Sequence, residues 1–209
     1  MTTLRRVIPS EARDLLGAAT RFLAALGMTL SPLLAPAATL EPDPELRQAL
    51  LAAINASDSF EHRFEAEVWL SDMSDRMGRY APDAMPDLEE RLKFLRLVHS
   101  EARRANVPPE LVLSVIEIES KFDRFAVSNS GAQGYMQVMP FWLKELDRPY
   151  DNLFNGPTNL RMGCTILKVY LDREKGDLIR GLARYNGSTG RAKYSHKVLN
   201  ALSRRWFQK

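Results

Sequence analysis

The sequence predicts a mainly α-helical protein, and three observations predict it. Apolar residues recur at three- and four-residue spacing through successive windows of the chain, and no long alternating apolar and polar run, the mark of a half-buried strand, interrupts them. Helix-opening signals stand at the starts of those windows: Asp58 with Glu61, Asp87 with Glu90, Pro109 and Pro157. The chain of 209 residues is 45% hydrophobic, enough to bury a core in one domain of ordinary size with extensions. Neither a repeat nor a low-complexity tract is present.

Residues 1–38 differ from the rest. Arg5, Arg6, Arg13 and Arg21 precede an apolar run from Phe22 to Ala38, which Pro32 and Pro36 break and Ala35-Pro36-Ala37-Ala38 ends. The pattern is that of a secretory signal peptide with a small-residue cleavage site, although Glu11 and Asp14 make its charged region long and impure. Export to a periplasmic compartment is therefore expected. An N-terminal membrane anchor is the weaker expectation, because the run is shorter than the ~20 residues a span needs and contains prolines; a misplaced start is the third. With no cysteine near this segment, a lipid-modified mature terminus is not expected.

The formal charge is +3 and the isoelectric point about 9.1. Residues 1–21 carry four arginines and two acids, so without them the net charge is +1. That mild excess suits an anionic partner without naming one, and the charges are too mixed in sign to favour nucleic acid. Cys164 excludes an internal disulfide, because it is the one cysteine, and falls on an apolar helical stripe with Leu160, Leu167 and Leu171. His62, His99 and His196 are scattered, and neither a metal site nor a cofactor is expected.

Residues 39–86 read as a linker, bounded by Pro42 and Pro44, and then one amphipathic helix over about 59–80 with Phe60, Phe64, Val68, Met73 and Met77. A larger domain, 87–209, follows. Its first helix runs from Asp87 to Asn106 with Leu88, Leu92, Leu95 and Val98 inward. A second spans about 108–122, striped by Leu111, Val115, Ile118 and Phe122. At ~100° per residue Glu119 lies beside that stripe, whereas Glu117 points roughly the opposite way. Glu117 is expected to be a solvated charge. Glu119, pressed against apolar neighbours, is expected to have a raised pKa, the condition a general acid must meet near neutral pH.

The segment from Asp123 to Ser130 has no sustained period, and Gly131 and Gly134 allow conformations and close approaches that a side chain blocks. A short helix, Phe141 to Leu146, a turn-rich passage, and helices at about 158–173, 177–186 and 191–207 complete the chain. Tyr185 occupies the apolar side at the end of the 177–186 helix, with Asn186-Gly187 suited to a left-handed cap. On pattern alone it is a core tyrosine, and Glu119 alone is a helix-edge residue.

Three stretches alter that. Glu119-Ser120, the run Gly131-Ala-Gln-Gly134-Tyr-Met-Gln-Val-Met-Pro140, and Arg184-Tyr185-Asn186-Gly187 resemble, in order, three motifs of the soluble lytic transglycosylase family, bacterial enzymes that cleave peptidoglycan glycan strands. The similarity covers roughly residues 88–207. It implies a goose-type lysozyme-like fold with at most a small irregular β element. It also implies Glu119 as the catalytic acid, with Tyr185 orienting it through a hydroxyl hydrogen bond. Ser120, Ser128, Gly134, Met136, Gln137, Met139 and Asn186 then fall at positions that line or contact the sugar.

Ordinary glycosidases need two carboxylates. Asp123, Asp147 and Asp151 are near in sequence but none carries a signature for the second role. The resemblance implies that none is needed: Glu119 acts first as acid and then as base, and the product is a 1,6-anhydro sugar. Two departures stand out, Tyr135 where the family commonly has leucine and Gly187-Ser-Thr-Gly190 where it has a proline-containing loop. A muramidase hydrolysing the same bond and a non-catalytic glycan-binding or envelope-assembly module are the alternatives. The expected partner is the glycan strand, the expected state a monomer, and an envelope partner is open. Lys193, Lys197, Arg204 and Arg205 are read as a solvated face, with anionic stem peptides as the functional alternative.

Overall fold

The computed structural model describes residues 43–55 and 63–207, which belong to one compact unit. The first 42 residues, with the expected signal segment, lie outside the described residues, as do Phe60 and the Asp58–Glu61 pair. Among the described residues the chain is helical: α1 (Pro44–Asn55), α2 (Arg63–Tyr80), α3 (Leu88–Arg104), α4 (Pro109–Ser120), α5 (Phe141–Glu145), α6 (Gly156–Arg173), α7 (Leu178–Tyr185) and α8 (Lys193–Ala201), which runs on into a π turn, Leu202–Trp206. The mainly α expectation holds. The small β element shrinks to isolated bridges, Val127 with Gln133 and Gln133 with Val138.

Helix α1 corrects the linker expected over its residues. Pro44 is not a boundary marker but an early helical residue, where a missing N–H costs nothing, and Asp43 caps the helix by accepting from the amides of Glu45 and Leu46 at 3.1 and 3.3 Å. Leu46, Leu50 and Ala53 are buried. Arg173 of α6 pairs with Asp43 and, at 2.7 Å, with Glu45, and its guanidinium holds the Asp43 carboxyl below the usual carboxylate range. Arg47 donates to the Glu145 carbonyl at 2.6 Å, so α1 is tied to both α6 and the end of α5.

Helix α2 keeps the expected Met73 and Met77, both fully buried, but Val68 is exposed; Trp69 and Leu70 face the core instead. The stripe is turned by about one residue from the reading anchored on Phe60. Between α3 and α6 a charge is buried: Glu101, 2% exposed, accepts from Arg104 at 2.6 Å and Arg161 at 2.9 Å. Arg104 also reaches the Thr165 hydroxyl at 2.9 Å and the Arg161 carbonyl at 3.0 Å, so this corner is fully hydrogen-bonded.

The acid helix α4 packs its Leu111, Val112, Val115 and Ile116 into the core. It ends two residues earlier than the apolar spacing suggests, because Lys121 and Phe122 both take left-handed φ values, 53° and 66°. Phe122 is still buried, swung between Phe94 and Trp206 with ring centroids 6.1 and 5.6 Å away. The break releases the chain into the loop that follows.

Candidate active site

Glu119 lies in the last turn of α4, partly buried, and its Oε1 accepts a 2.7 Å hydrogen bond from the Tyr194 hydroxyl of α8. The Asn186 amide side chain also hydrogen-bonds to the carboxylate. Burial pushes the Glu119 carboxyl above its ordinary value, and the bonds from Tyr194 and Asn186 offset only part of that rise. Tyr194 is itself buried, and its pKa is raised by that burial first and then by the Glu119 charge.

This arrangement corrects the expectation for Tyr185. Its hydroxyl does not bond Glu119; it donates to the Met136 carbonyl at 2.7 Å. Burial raises the Tyr185 pKa and the Glu119 charge adds to the rise, while the hydroxyl secures the loop. Tyr194 takes the orienting position, and sequence reasoning missed it. The available signal was a tyrosine on the apolar face of the last helix, in line with Val198 and Ala201 at i+4 and i+7.

Glu117 also departs from expectation. It is not a solvated charge: Trp206 Nε1–H donates to it at 2.7 Å and Arg205 binds it through Nε at 3.0 Å and Nη2 at 2.8 Å. The π turn therefore grips α4 at Glu117 and, through the Trp206 ring, Phe122 just beyond the end of that helix. These two contacts flank Glu119 on either side along the chain. Arg76 of α2 supports the same turn from behind, donating to the Arg205 carbonyl at 3.0 Å.

The loop after α4 is organised by a residue the sequence did not single out, Asn159 of α6. Fully buried, it accepts from the Met136 amide at 2.8 Å and donates to the carbonyls of Gln133 and Leu153 at 2.8 and 3.0 Å. Gly134, at φ 74°, sits on it so closely that a Cβ would lie 2.5 Å from both Asn159 Nδ2 and the Leu153 carbonyl oxygen. The glycine thus serves loop packing, a correction to the idea that it opens room for a ligand. At Gly131 a Cβ would meet nothing within 4 Å, so there it is the left-handed φ of 85°, not packing, that calls for glycine.

Met136 is corrected likewise. Its side chain is fully buried, pressed on Gly163 and 3.8 Å from the Cys164 sulfur, so only its backbone is available to shape the site. Cys164 is a buried thiol with a pKa raised by burial, as its apolar stripe indicates. Gln137, at φ 51°, donates its amide to the carbonyls of Ala126 and Gly134 at 3.1 and 3.0 Å, which leaves its side-chain oxygen outside those bonds. The Ser120 hydroxyl is turned back onto the Ile116 carbonyl at 3.1 Å. Ser128 accepts from the Ala132 amide at 3.0 Å and pairs with Ser130, while Met139 is partly buried against the core. Asn186 stands at the end of α7, and the left-handed residue there is the next one, Gly187 at φ 69°. Tyr135, in place of the family's leucine, packs on Phe94 at 4.9 Å and fills an apolar role.

The acids that follow Glu119 in the sequence differ in what they meet. Asp123 accepts from the Phe125 amide at 2.8 Å, Asp147 lies 3.8 Å from Arg47, and Asp151 pairs with Arg148 at 2.5 Å.

Comparison with known proteins bears on the whole assembly. Residues 96–205 match the family model described as the transglycosylase SLT domain. The chain is 31% identical over 107 residues to a transglycosylase of Enterobacteria phage PRD1, covering 51% of this chain and 39% of that protein. It is 35% identical over 89 residues to membrane-bound lytic murein transglycosylase C of Actinobacillus pleuropneumoniae (38% and 24%), and 32% identical over 116 residues to the Yersinia pestis protein of that name (47% and 32%). The chain therefore spans well under half the length of these relatives. Among solved structures, an inactive mutant of the lytic transglycosylase Slt of Pseudomonas aeruginosa aligns with 78% of this chain and 34% of its own, at a TM-score of 0.44 and 19% identity.

Proposed function

Because the chain belongs to the transglycosylase SLT domain family, whose model covers more than half of it, we propose that it is a peptidoglycan lytic transglycosylase with Glu119 as its one acid and base. The observation that carries this reading is the state of Glu119: a carboxyl raised by burial, held by the Tyr194 hydroxyl at 2.7 Å. A protonated carboxyl in that position is poised to deliver its proton to a glycosidic oxygen.

In the proposed reaction Glu119 protonates the bridging oxygen between N-acetylmuramic acid and N-acetylglucosamine, and the bond from the muramic C1 to that oxygen breaks. The substrate's own acetamido group stabilises the cationic C1. The Glu119 carboxylate, favoured by the Tyr194 and Asn186 hydrogen bonds, then takes the C6 hydroxyl proton as the C6 oxygen closes on C1. The result is a 1,6-anhydro ring with Glu119 protonated again, and no water is consumed. That Asp123 is held by the Phe125 amide and Asp151 by Arg148 supports this one-carboxylate course over hydrolysis with a second acid.

Around Glu119, Tyr185 secures the Met136 backbone, and Gln137, Ser128, Met139 and Asn186 are proposed to meet the sugars. Ser120 supports the helix end. The substrate places the working protein in the cell envelope, in keeping with the signal-like pattern of residues 1–38; no described helix is long and apolar enough to cross a membrane. We expect the protein to act as a monomer on glycan strands, without nucleic acid. The test is clearance of a suspension of purified sacculi: loss of turbidity with the native chain, and none with Glu119→Gln.

A further inference from the structure

Residues 178–209 contain eight lysines and arginines and not one aspartate or glutamate. Three of the eight are neutralised in the fold: Arg180 and Arg184 by Glu174 at 2.9 and 2.5 Å, and Arg205 by Glu117. Arg191, Lys193, Lys197 and Arg204 are exposed, and among the described residues none of them makes an ion pair. Like charges left together without a counter-ion repel one another, so the cluster brings no stability of its own.

Its direction is set by the helix. At ~100° per residue Lys193 and Lys197 lie within about 40° of each other on α8, and Tyr194 lies on the flank of the buried face nearer to them. Ser195, on the opposite flank, donates to the Ile179 carbonyl of α7 at 2.7 Å. Tyr194, on the lysine side, reaches Glu119. The lysines therefore project from the side of α8 that carries the contact to the acid, with Arg191 ahead of them and Arg204 in the turn that follows. They stand outside the immediate surroundings of Glu119, whose hydrogen-bond partners are Tyr194 and Asn186.

We infer that this cationic edge of α8 receives the carboxylates of the peptides carried by the glycan, so that the protein distinguishes peptide-bearing strands from bare ones. The inference rests on the proposed substrate. Peptidoglycan is a neutral sugar backbone made anionic by its acidic peptide substituents, and a strand laid past Glu119 brings those carboxylates to the acid's flanks. Exposed cations without partners meet such groups without first giving up an internal ion pair. The attraction acts over roughly a Debye length, ~10 Å at 0.1 M salt, and is screened above it.

Binding separates this inference from the reaction. The full chain carrying Glu119→Gln is sedimented with intact sacculi and with sacculi whose peptide carboxylates have been converted to amides with a carbodiimide and ammonia, at low and high salt, and compared with the same chain carrying in addition Arg191→Gln, Lys193→Gln, Lys197→Gln and Arg204→Gln. Circular dichroism and thermal melting verify that the exposed substitutions leave the fold in place. We expect at least about threefold stronger retention on intact sacculi at low salt, lost in the four-Gln chain and lost in high salt. Equal retention on both sacculi, or undiminished retention of the four-Gln chain, overturns the inference. So does stronger retention of the parent chain on vesicles of anionic phospholipid than on sacculi, which would make the edge a membrane-docking surface. Because the chain tested carries no working acid, a failure of the proposed reaction leaves this result readable.

Discussion

Tyr194 holds the Glu119 carboxylate through a 2.7 Å hydrogen bond across 75 positions of sequence, from a helix whose far end, through Trp206, also grips Glu117 on the same turn of α4. The acid is thus set from above by a hydroxyl and from beside by a clamp. Removing either part has a distinct signature.

Tyr194→Phe keeps the ring and removes the bond that favours the ionised carboxylate. Since that bond lowers the Glu119 pKa against the effect of burial, the variant's carboxyl should titrate higher. The alkaline limb of the kcat/KM profile should move to higher pH, while kcat falls because the carboxylate is a worse-placed base. Loss of one charge-assisted hydrogen bond is worth ~1.5–3 kcal/mol, or roughly tenfold to a hundredfold in rate if it is made fully in the transition state. A pH–rate profile on soluble glycan strands measures both effects. Tyr185→Phe should leave the alkaline limb closer to the native position, since its hydroxyl serves the Met136 carbonyl.

Glu119→Gln should stabilise the fold above the carboxyl's pKa. A carboxyl whose pKa is raised on folding binds its proton more tightly in the native state, so stability falls as pH rises from the unfolded value, near 4.5, through the folded one. The amide carries no such dependence and still accepts from Tyr194. Melting temperatures at pH 8 should be higher for the variant, and the gap should close toward pH 4.

Trp206→Phe tests the clamp. The ring against Phe122 is largely kept, but the 2.7 Å bond to Glu117 is lost. If the clamp positions Glu119, kcat should fall several-fold with KM little changed, and Glu117→Gln should show the same split. A variant that only loosened the fold would instead lower the melting temperature and leave kcat intact at low temperature.

Glu101→Ala should be among the most destabilising single changes, about 3–5 kcal/mol, because it leaves Arg104 and Arg161 without the buried carboxylate they share. Urea unfolding measures it, and the cost is large against a typical domain stability of ~5–15 kcal/mol. Gly134→Ala should also destabilise, since its Cβ would enter the Asn159 amide.

Helix boundaries and the acid were legible in the sequence where local rules govern. Pro109 at the start of α4, Asp87 capping α3 at the Glu90 amide and the periodic leucines all act within a few residues. What failed to show depends on distant partners. Pro44 punctuates a chain in the same way whether it ends a linker or opens a helix, and only Leu46 and Leu50 packing into the core decides between them. Glu117 looks solvated until Trp206 arrives from 89 positions away. Tyr185 and Tyr194 are both tyrosines on apolar helical faces, and which hydroxyl meets Glu119 follows from how α7 and α8 are placed, not from either helix alone. Asn159 on α6 gave no periodic signal, because its role is to complete a loop 23 positions back.

The most direct measurement is mass spectrometry of the soluble fragments released from purified sacculi by the full chain, with Glu119→Gln and Tyr194→Phe in parallel. The account predicts fragments at the 1,6-anhydro mass from the native chain, none from Glu119→Gln and a reduced yield from Tyr194→Phe. Fragments one water heavier, with free reducing ends, would contradict the single-carboxylate reaction, and anhydro products from Glu119→Gln would contradict the assignment of the acid itself.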